Sequence, residues 1–414
     1  MRCAHRPACR GQRCALTTAP AFDHKVCSWT QRYKIYRDDN HSGATWALKT
    51  TDERLARSIL ESQHRLIRTA HSASARAPSN AAHSRVDKQG ATRNCPAGGR
   101  AAVDNAAVAH NEPPAFKPLP GTYEPSAIQQ LPDGRFLVVE DEKRHPLCLV
   151  TIYANGRVDS EPITAGLFQI FSAFWKLDDL EGLALDRAGF VYAITSHSRN
   201  DSGEEKTSRE KLVRFRIEGN RVVDPKVVGG LKRAITAQHP LLAAAAALRD
   251  VKDSGGLNIE ALEISPDQQR LLIGFRSPLH DGRAIIASIE NPKEIFESDE
   301  VPRLAAALDE LDLGGHGIRG LSYLPSIDEY LVIGGPVSRA QAQFDLWLWS
   351  GRQGAAARRI SVPGLQGLER AEGVSPAVIG GVQRIIIVSD DGDRQAGRFA
   401  NYLLLDPGQL QAAH

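Results

Sequence analysis

Nowhere in this 414-residue chain do some 18 apolar residues run together, so the sequence offers no candidate membrane-spanning helix. The stretch after Met1 lacks the apolar segment of a secretory signal, and Met1 is the only methionine in the chain. The protein is therefore expected in the cytoplasm. A translation start placed too far upstream would account for an odd basic extension, and it would equally mask a secretion signal. Catalytic signatures are also missing: the chain has no G-x-S-x-G elbow, no H-E-x-x-H helix and no P-loop pattern. One glycine pattern, Gly315-His316-Gly317-Ile318-Arg319-Gly320, fits G-x-G-x-x-G, but it leads into a strand-like run containing Pro325 and opens no helix. His316 reads as a surface histidine of a glycine loop or as a rim ligand. Cysteine is scarce after residue 95: of six, only Cys148 lies beyond that point. The gaps between Cys3, Cys9 and Cys14, with His5 nearby, match no zinc-finger spacing.

The overall charge of +2 hides a division. Residues 1–115 carry 18 Lys or Arg against 9 Asp or Glu, leaving 33 against 40 in the remainder. This first segment is rich in Ala, Arg and Ser and shows a hydrophobic period only around 55–67. It is expected to be a disordered basic extension with one short helix. Its arginines are scattered without an aromatic platform, so no nucleic-acid partner is expected. Residues 116–414 then form the folded domain, expected to act as a monomer.

What this second part does have is a repeat. Leu180-Glu181-Gly182-Leu183, Ile259-Glu260-Ala261-Leu262, Ile318-Arg319-Gly320-Leu321 and Ala371-Glu372-Gly373-Val374 each open a short apolar run, and a weaker copy starts at Pro125-Ser126-Ala127-Ile128. Start-to-start spacings are 55, 79, 59 and 53 residues. After each run comes a turn rich in Pro, Asp or Gly and then a second β-patterned run, at 136–139, 191–194, 271–273, 330–333 and 385–388. Third strands follow at 147–153, 211–217, 283–289, 344–349 and 401–405. Such units cannot bury both faces alone. The fold predicted is an all-β closed β-propeller, of five blades with six as the other count, carrying helical insertions at 231–251 and 301–311. No room remains for another strand after Leu405, so 116–123 is expected to complete the last blade and remove an open sheet edge.

A hairpin returns the end of its second strand to the edge where its first began. One face of the ring therefore collects Glu181 with His197 and Arg199, Glu260 with Arg276, Arg319, and Glu372 with Asp390, Asp391 and Asp393; the first unit adds Glu140, Asp141 and Glu142. Converging carboxylates suit Ca²⁺, which takes six to eight oxygen ligands in flexible geometry. The candidate metal ligands are Glu181, Glu260, Glu372, Asp390, Asp391 and Glu142. His197, Arg199, Arg276 and Arg319 are the candidate ligand-binding residues, for an anionic group or a phosphate. The competing account is that these charges pair across blades, since an unpaired buried ion costs several kcal/mol. Ser196 and His197 do not read as nucleophile and base, because neighbours on a strand point to opposite faces.

From Ser126 to about Leu405 the chain resembles the bacterial proteins grouped as domain of unknown function 3616, themselves similar to esterase-like and phytase-like β-propellers. The resemblance rests on Val139-Glu140-Asp141-Glu142, Ile194-Thr195-Ser196-His197-Ser198-Arg199-Asn200, Leu257-Asn258-Ile259-Glu260-Ala261-Leu262, Ile273-Gly274-Phe275-Arg276-Ser277-Pro278-Leu279, Gly317-Ile318-Arg319 and Val388-Ser389-Asp390-Asp391-Gly392. Ala261 stands where the motif elsewhere has Gly. The resemblance implies a propeller whose charged face binds a divalent cation and an anionic or ester ligand, as a metal-dependent hydrolase of carboxylic or phosphoric esters. A noncatalytic ligand-binding or protein-interaction propeller is the alternative, and fold alone does not separate the two.

Overall fold

The computed structural model describes residues 113–414 except 142–145, 167–171, 252–253, 339–342, 369 and 414, together with three short strands nearer the start. Two compact units, 1–105 and 106–414, divide the chain. In the first, β1 (Trp29–Thr30), β2 (Tyr33–Asp38) and β3 (Thr45–Thr50) form an antiparallel sheet in order β1-β2-β3, in a segment expected to lack structure. Aromatic and β-branched residues in Tyr-Lys-Ile-Tyr and Thr-Trp favour that pairing. The helix expected at 55–67 lies outside the described residues, as do Cys3, Cys9, Cys14 and His5.

The second unit is a five-bladed propeller. After β4 (Lys117–Pro118) come the first blade, β5 (Pro125–Gln130), β6 (Phe136–Glu140), β7 (Leu147–Ile152) and β8 (Val158–Pro162), and the second, β9 (Leu180–Leu185), β10 (Val191–Thr195), β11 (Leu212–Glu218) and β12 (Arg221–Val228). The third holds β13 (Asn258–Ile264), β14 (Leu271–Ser277), β15 (Ala284–Ile289) and β16 (Asp309–Leu311). The fourth holds β17 (Gly317–Leu324), β18 (Glu329–Gly335), β19 (Asp345–Trp349) and β20 (Arg358–Ser361), and the fifth β21 (Ala371–Ile379), β22 (Val382–Ser389) and β23 (Asn401–Leu405). The inner strands touch in the cycle β5, β9, β13, β17, β21 and back to β5. Each seam between blades has its own apolar cluster. Leu183 and Ala193 meet Leu137 and Leu149 between the first two blades, for example, and Ile318 and Val332 meet Ala261 and Leu272 between the third and fourth. The inner strands are buried on both faces, which is why they read as continuous apolar runs.

The ring closes as the sequence suggests. Lys117 pairs with Tyr402 and Pro118 with Asn401, while the Leu119 N–H donates to the Ala400 carbonyl and Leu119 is fully buried. At the other end β24 (Gln411–Ala412) adds to β20 of the fourth blade. Deleting residues 1–110 is expected to preserve cooperative unfolding, whereas deleting 1–126 removes β4, Leu119 and the start of β5 and is expected to lower the melting temperature by roughly 5–15 °C. Equal melting temperatures for the two truncations would rule out a closing role for this segment.

The insertion at 231–251 is helical as expected, with α1 (Leu231–Gln238) and α2 (Pro240–Ala247) packing Leu231, Ile235 and Leu242 against the seam of the second and third blades. The helix expected at 301–311 does not form. A helix, α3 (Pro292–Glu297), starts earlier with Pro at its first turn, and the later stretch bridges Leu304 to Ile289 and supplies β16. Strand pairing for β15 outweighs the helix propensity of Ala305 to Ala307. No helix among the described residues is long and apolar enough to cross a membrane.

Candidate functional site

The repeated motif turns out to be a repeated β-bulge. In four blades the strand register skips the second motif residue: Ser126, Glu181, Glu260 and Arg319 have no partner on the second strand, while in the fifth Glu372 and Gly373 together face Val388. A bulge adds one residue and re-aims its side chain. All five of these residues line a cavity of about 740 Å³ at the central mouth. The glycine that follows has a packing reason. A Cβ on Gly373 would lie 2.8 Å from Ala127 Cα, and one on Gly320 would run into the Glu372 carbonyl oxygen, so neighbouring inner strands close up only around glycine. Ala261 is tolerated because the residue packed against it is Gly274, where a Cβ would sit 2.9 Å from its own.

On one side of the mouth the charges are consumed in pairs. Glu260 Oε2 lies 2.8 Å from Arg319 Nη1, its Oε1 lies 3.1 Å from Arg276 Nη1, and Asn258 donates to Oε1 at 2.8 Å. Arg319 also bridges Glu372, and the Arg276 Nε–H donates to the Pro336 carbonyl at 2.9 Å. Glu260, Arg319 and Glu372 are all buried. This is the cross-blade pairing that competes with the calcium reading.

The other side is different. Glu181 makes no hydrogen bond or ion pair with a described residue, although Asp179, Glu260 and Asp141 surround it. Desolvation first, then those three carboxylates, raise its carboxyl well above the usual range, with only Arg319 opposing. Asp141, exposed and lining the same cavity, is pushed up to about 8, again by desolvation first and then by Asp179. Asp179 itself is fixed: with φ of 67° it accepts from Ser196 Oγ, from Ser198 Oγ at 3.2 Å, and from Arg209 Nη1 at 2.9 Å. Asp390 also lines the mouth, and desolvation, against the pull of Arg319, lifts it to about 6.

The remaining candidates are placed as follows. Arg199 lines the mouth and ties Gly203, Glu205 and the Ala246 carbonyl together. His197 is fully buried outside the cavity lining. With φ of 56° its Nδ1 bonds the Thr195 carbonyl at 2.8 Å, and burial drives its pKa down to about 4. That turn brings Ser196 and Ser198 onto the same carboxylate, so the imidazole positions and does not face the mouth. Asp391 holds its own loop, accepting from Ser389 Oγ at 2.8 Å and from the Asn401 N–H at 3.0 Å. Glu142 lies outside the described residues. His316 is buried, 3.5 Å from Asp345, and Gly317 opens strand β17, so the glycine pattern there is structural. Glu140 is buried as well, bridging Arg394 and accepting from the Tyr123 and Glu124 N–H groups.

Sequence reasoning passed over Asp179, Arg209 and the two serines. Asp178-Asp179 directly before the second motif copy was the available signal; Arg209, from a loop outside the repeat, had none. Among the described residues no three His, Cys, Asp or Glu side chains are placed to hold a metal ion.

Comparison with solved structures finds an oxidoreductase (glucose dehydrogenase) of Thermus thermophilus, 18% identical over 70% of this chain and 100% of that one, with a TM-score of 0.37. The PQQ-bound aldose sugar dehydrogenase of Streptomyces coelicolor is 17% identical over 71% and 99%, TM-score 0.35. The periplasmic gluconolactonase of Pseudomonas aeruginosa is 12% identical over 67% and 70%, TM-score 0.33. None of these activities is transferred by likenesses of that size. No curated protein matches the sequence. The sequence resemblance seen from Ser126 onward is matched from residue 242: residues 242–404, from α2 to the third strand of the last blade, match the model of the family described as Protein of unknown function (DUF3616).

Proposed function

We propose that the mouth is the reaction site of a hydrolase for small esters. The observation that carries this reading is Glu181: a bulge residue lining the cavity, without a hydrogen-bond or ion-pair partner among the described residues, and biased toward its protonated form by desolvation and then by the carboxylates around it. A carboxyl in that state is a general acid. Asp179, anchored by Ser196, Ser198 and Arg209, is the carboxylate positioned to take a proton from water. Water adds to the acyl or phosphoryl centre and gives its proton to Asp179. The ester C–O or P–O bond breaks, and the leaving oxygen takes the proton of Glu181. Return of that proton from Asp179 to Glu181 completes the cycle. Arg276 and Arg319 also line the cavity, and through their pairs with Glu260 and Glu372 they offset the negative charge of that wall as the oxyanion develops.

A panel of carboxylic esters, lactones and phosphate monoesters tests this between pH 5 and 9. Turnover is expected, with the rate falling as pH rises and Glu181 loses its proton. Ligand-induced stabilisation without turnover of any member would make the propeller a binding module. A calcium-dependent rise in melting temperature, following RT ln(1 + [L]/Kd), that Asp141→Asn removes would transfer the chemistry to a cation held in the same acidic pocket.

A further inference from the structure

A second cavity, of about 410 Å³, adjoins the mouth and shares Asn200 and Arg209 with it. Its composition is opposite. The mouth is lined by nine carboxylates and five arginines, whereas this cleft is lined by Lys176, Lys206 and Arg209 against the single carboxylate Asp178, which Arg209 already engages at 3.4 Å. Lys176 has no partner among the described residues, and Lys206 pairs only with exposed Glu204 at the rim.

Trp175 gives the cleft an aromatic wall. Phe174 is buried in the seam of the first two blades, with Phe215 edge-on at 5.0 Å and Trp175 edge-on at 5.2 Å. That anchor fixes the short turn carrying Trp175 and Lys176, and the Asp178 N–H donates to the Ser208 carbonyl to hold the opposite wall. A free oxyanion gains little from the acidic mouth but meets two lysines, an arginine and an indole next door.

We propose that the cleft seats the anionic end of the ester whose cleavage is assigned to the mouth, so that the substrate is bifunctional: an ester at one end and a phosphate or carboxylate at the other. This rests on the mouth as the reaction site, but cleft binding is measurable without turnover. Arg209 then has two tasks, positioning Asp179 on the mouth side and contacting the anion on the cleft side.

Inorganic phosphate is the probe and tryptophan fluorescence of the full chain the readout. Saturable quenching is expected, lost in Trp175→Phe and weakened by about tenfold or more in Lys176→Glu and Lys206→Glu, whose exposed side chains carry little of the fold. Glu181→Gln should leave phosphate binding unchanged, so that loss of the hydrolase reading and loss of the cleft reading are told apart. In hydrolysis, Lys176→Glu should raise KM for an ester bearing a terminal phosphate while leaving its kcat, and both constants for a neutral ester, as they were. Absence of saturation, quenching that survives Trp175→Phe, or a KM for the phosphate-bearing ester indifferent to Lys176→Glu would each overturn the proposal.

Discussion

Arg319→Met is expected to be the most damaging single substitution at the mouth, costing about 3–5 kcal/mol of stability. Arg319 is the shared counter-charge of Glu260 and Glu372, and all three are buried on inner-strand bulges of the third, fourth and fifth blades. Methionine fills the volume without the charge, so Glu372 loses its partner and Glu260 keeps only Arg276. For a domain of this size the melting temperature should fall by roughly 10 °C. Adding Glu372→Gln should recover part of the loss, because removing both members of a buried pair is milder than stranding one. A melting temperature within a degree of wild type would show that these contacts do not join the blades.

Glu181→Gln should do the reverse. Hydrolysis is expected to fall by about 100- to 10,000-fold, the usual worth of a general acid, while the melting temperature rises. The sign follows from the direction of the shift. The native carboxyl is raised above its unfolded value, so its stabilising contribution is complete below about pH 4.3 and declines as pH climbs through the native value. Asp141, at about 8, and Asp390, at about 6, lose theirs over the same interval. The gain of Gln over Glu should therefore widen from pH 5 to pH 9. A difference constant with pH, or a variant less stable than wild type at pH 9, would contradict the crowding of carboxylates around Glu181.

The propeller was legible because its inner strands are buried on both faces and begin with one motif, so period and apolar runs agree. The outer strands were harder to read. In β8, Val158–Pro162, and β12, Arg221–Val228, most residues face solvent and carry no apolar alternation. The Ala-rich run at 305–307 misled for the opposite reason, since local propensity favoured a helix where β15 needed a partner. At the site, the second motif position was visible as a repeat, but the bulge that aims it was not, because register belongs to pairs of strands. Nor could spacing reveal that Glu260 and Glu372 meet one arginine while Glu181 meets none. That outcome depends on which bulges are neighbours around the ring. Asp179 owes its part to a left-handed turn, a conformation that aspartate tolerates but does not announce.

The ring is shut by a strand of two residues, a short clasp on a long seam. Among the described residues it is Lys117 and Pro118 that pair with the outer edge of β23, so brief fraying there bares the backbone of Asn401 and Tyr402. The matching segment of a second molecule fits that edge as well as the molecule's own does. Concentrated protein held near its transition is thus prone to exchange first strands and form swapped pairs, each ring fastened by the other's clasp.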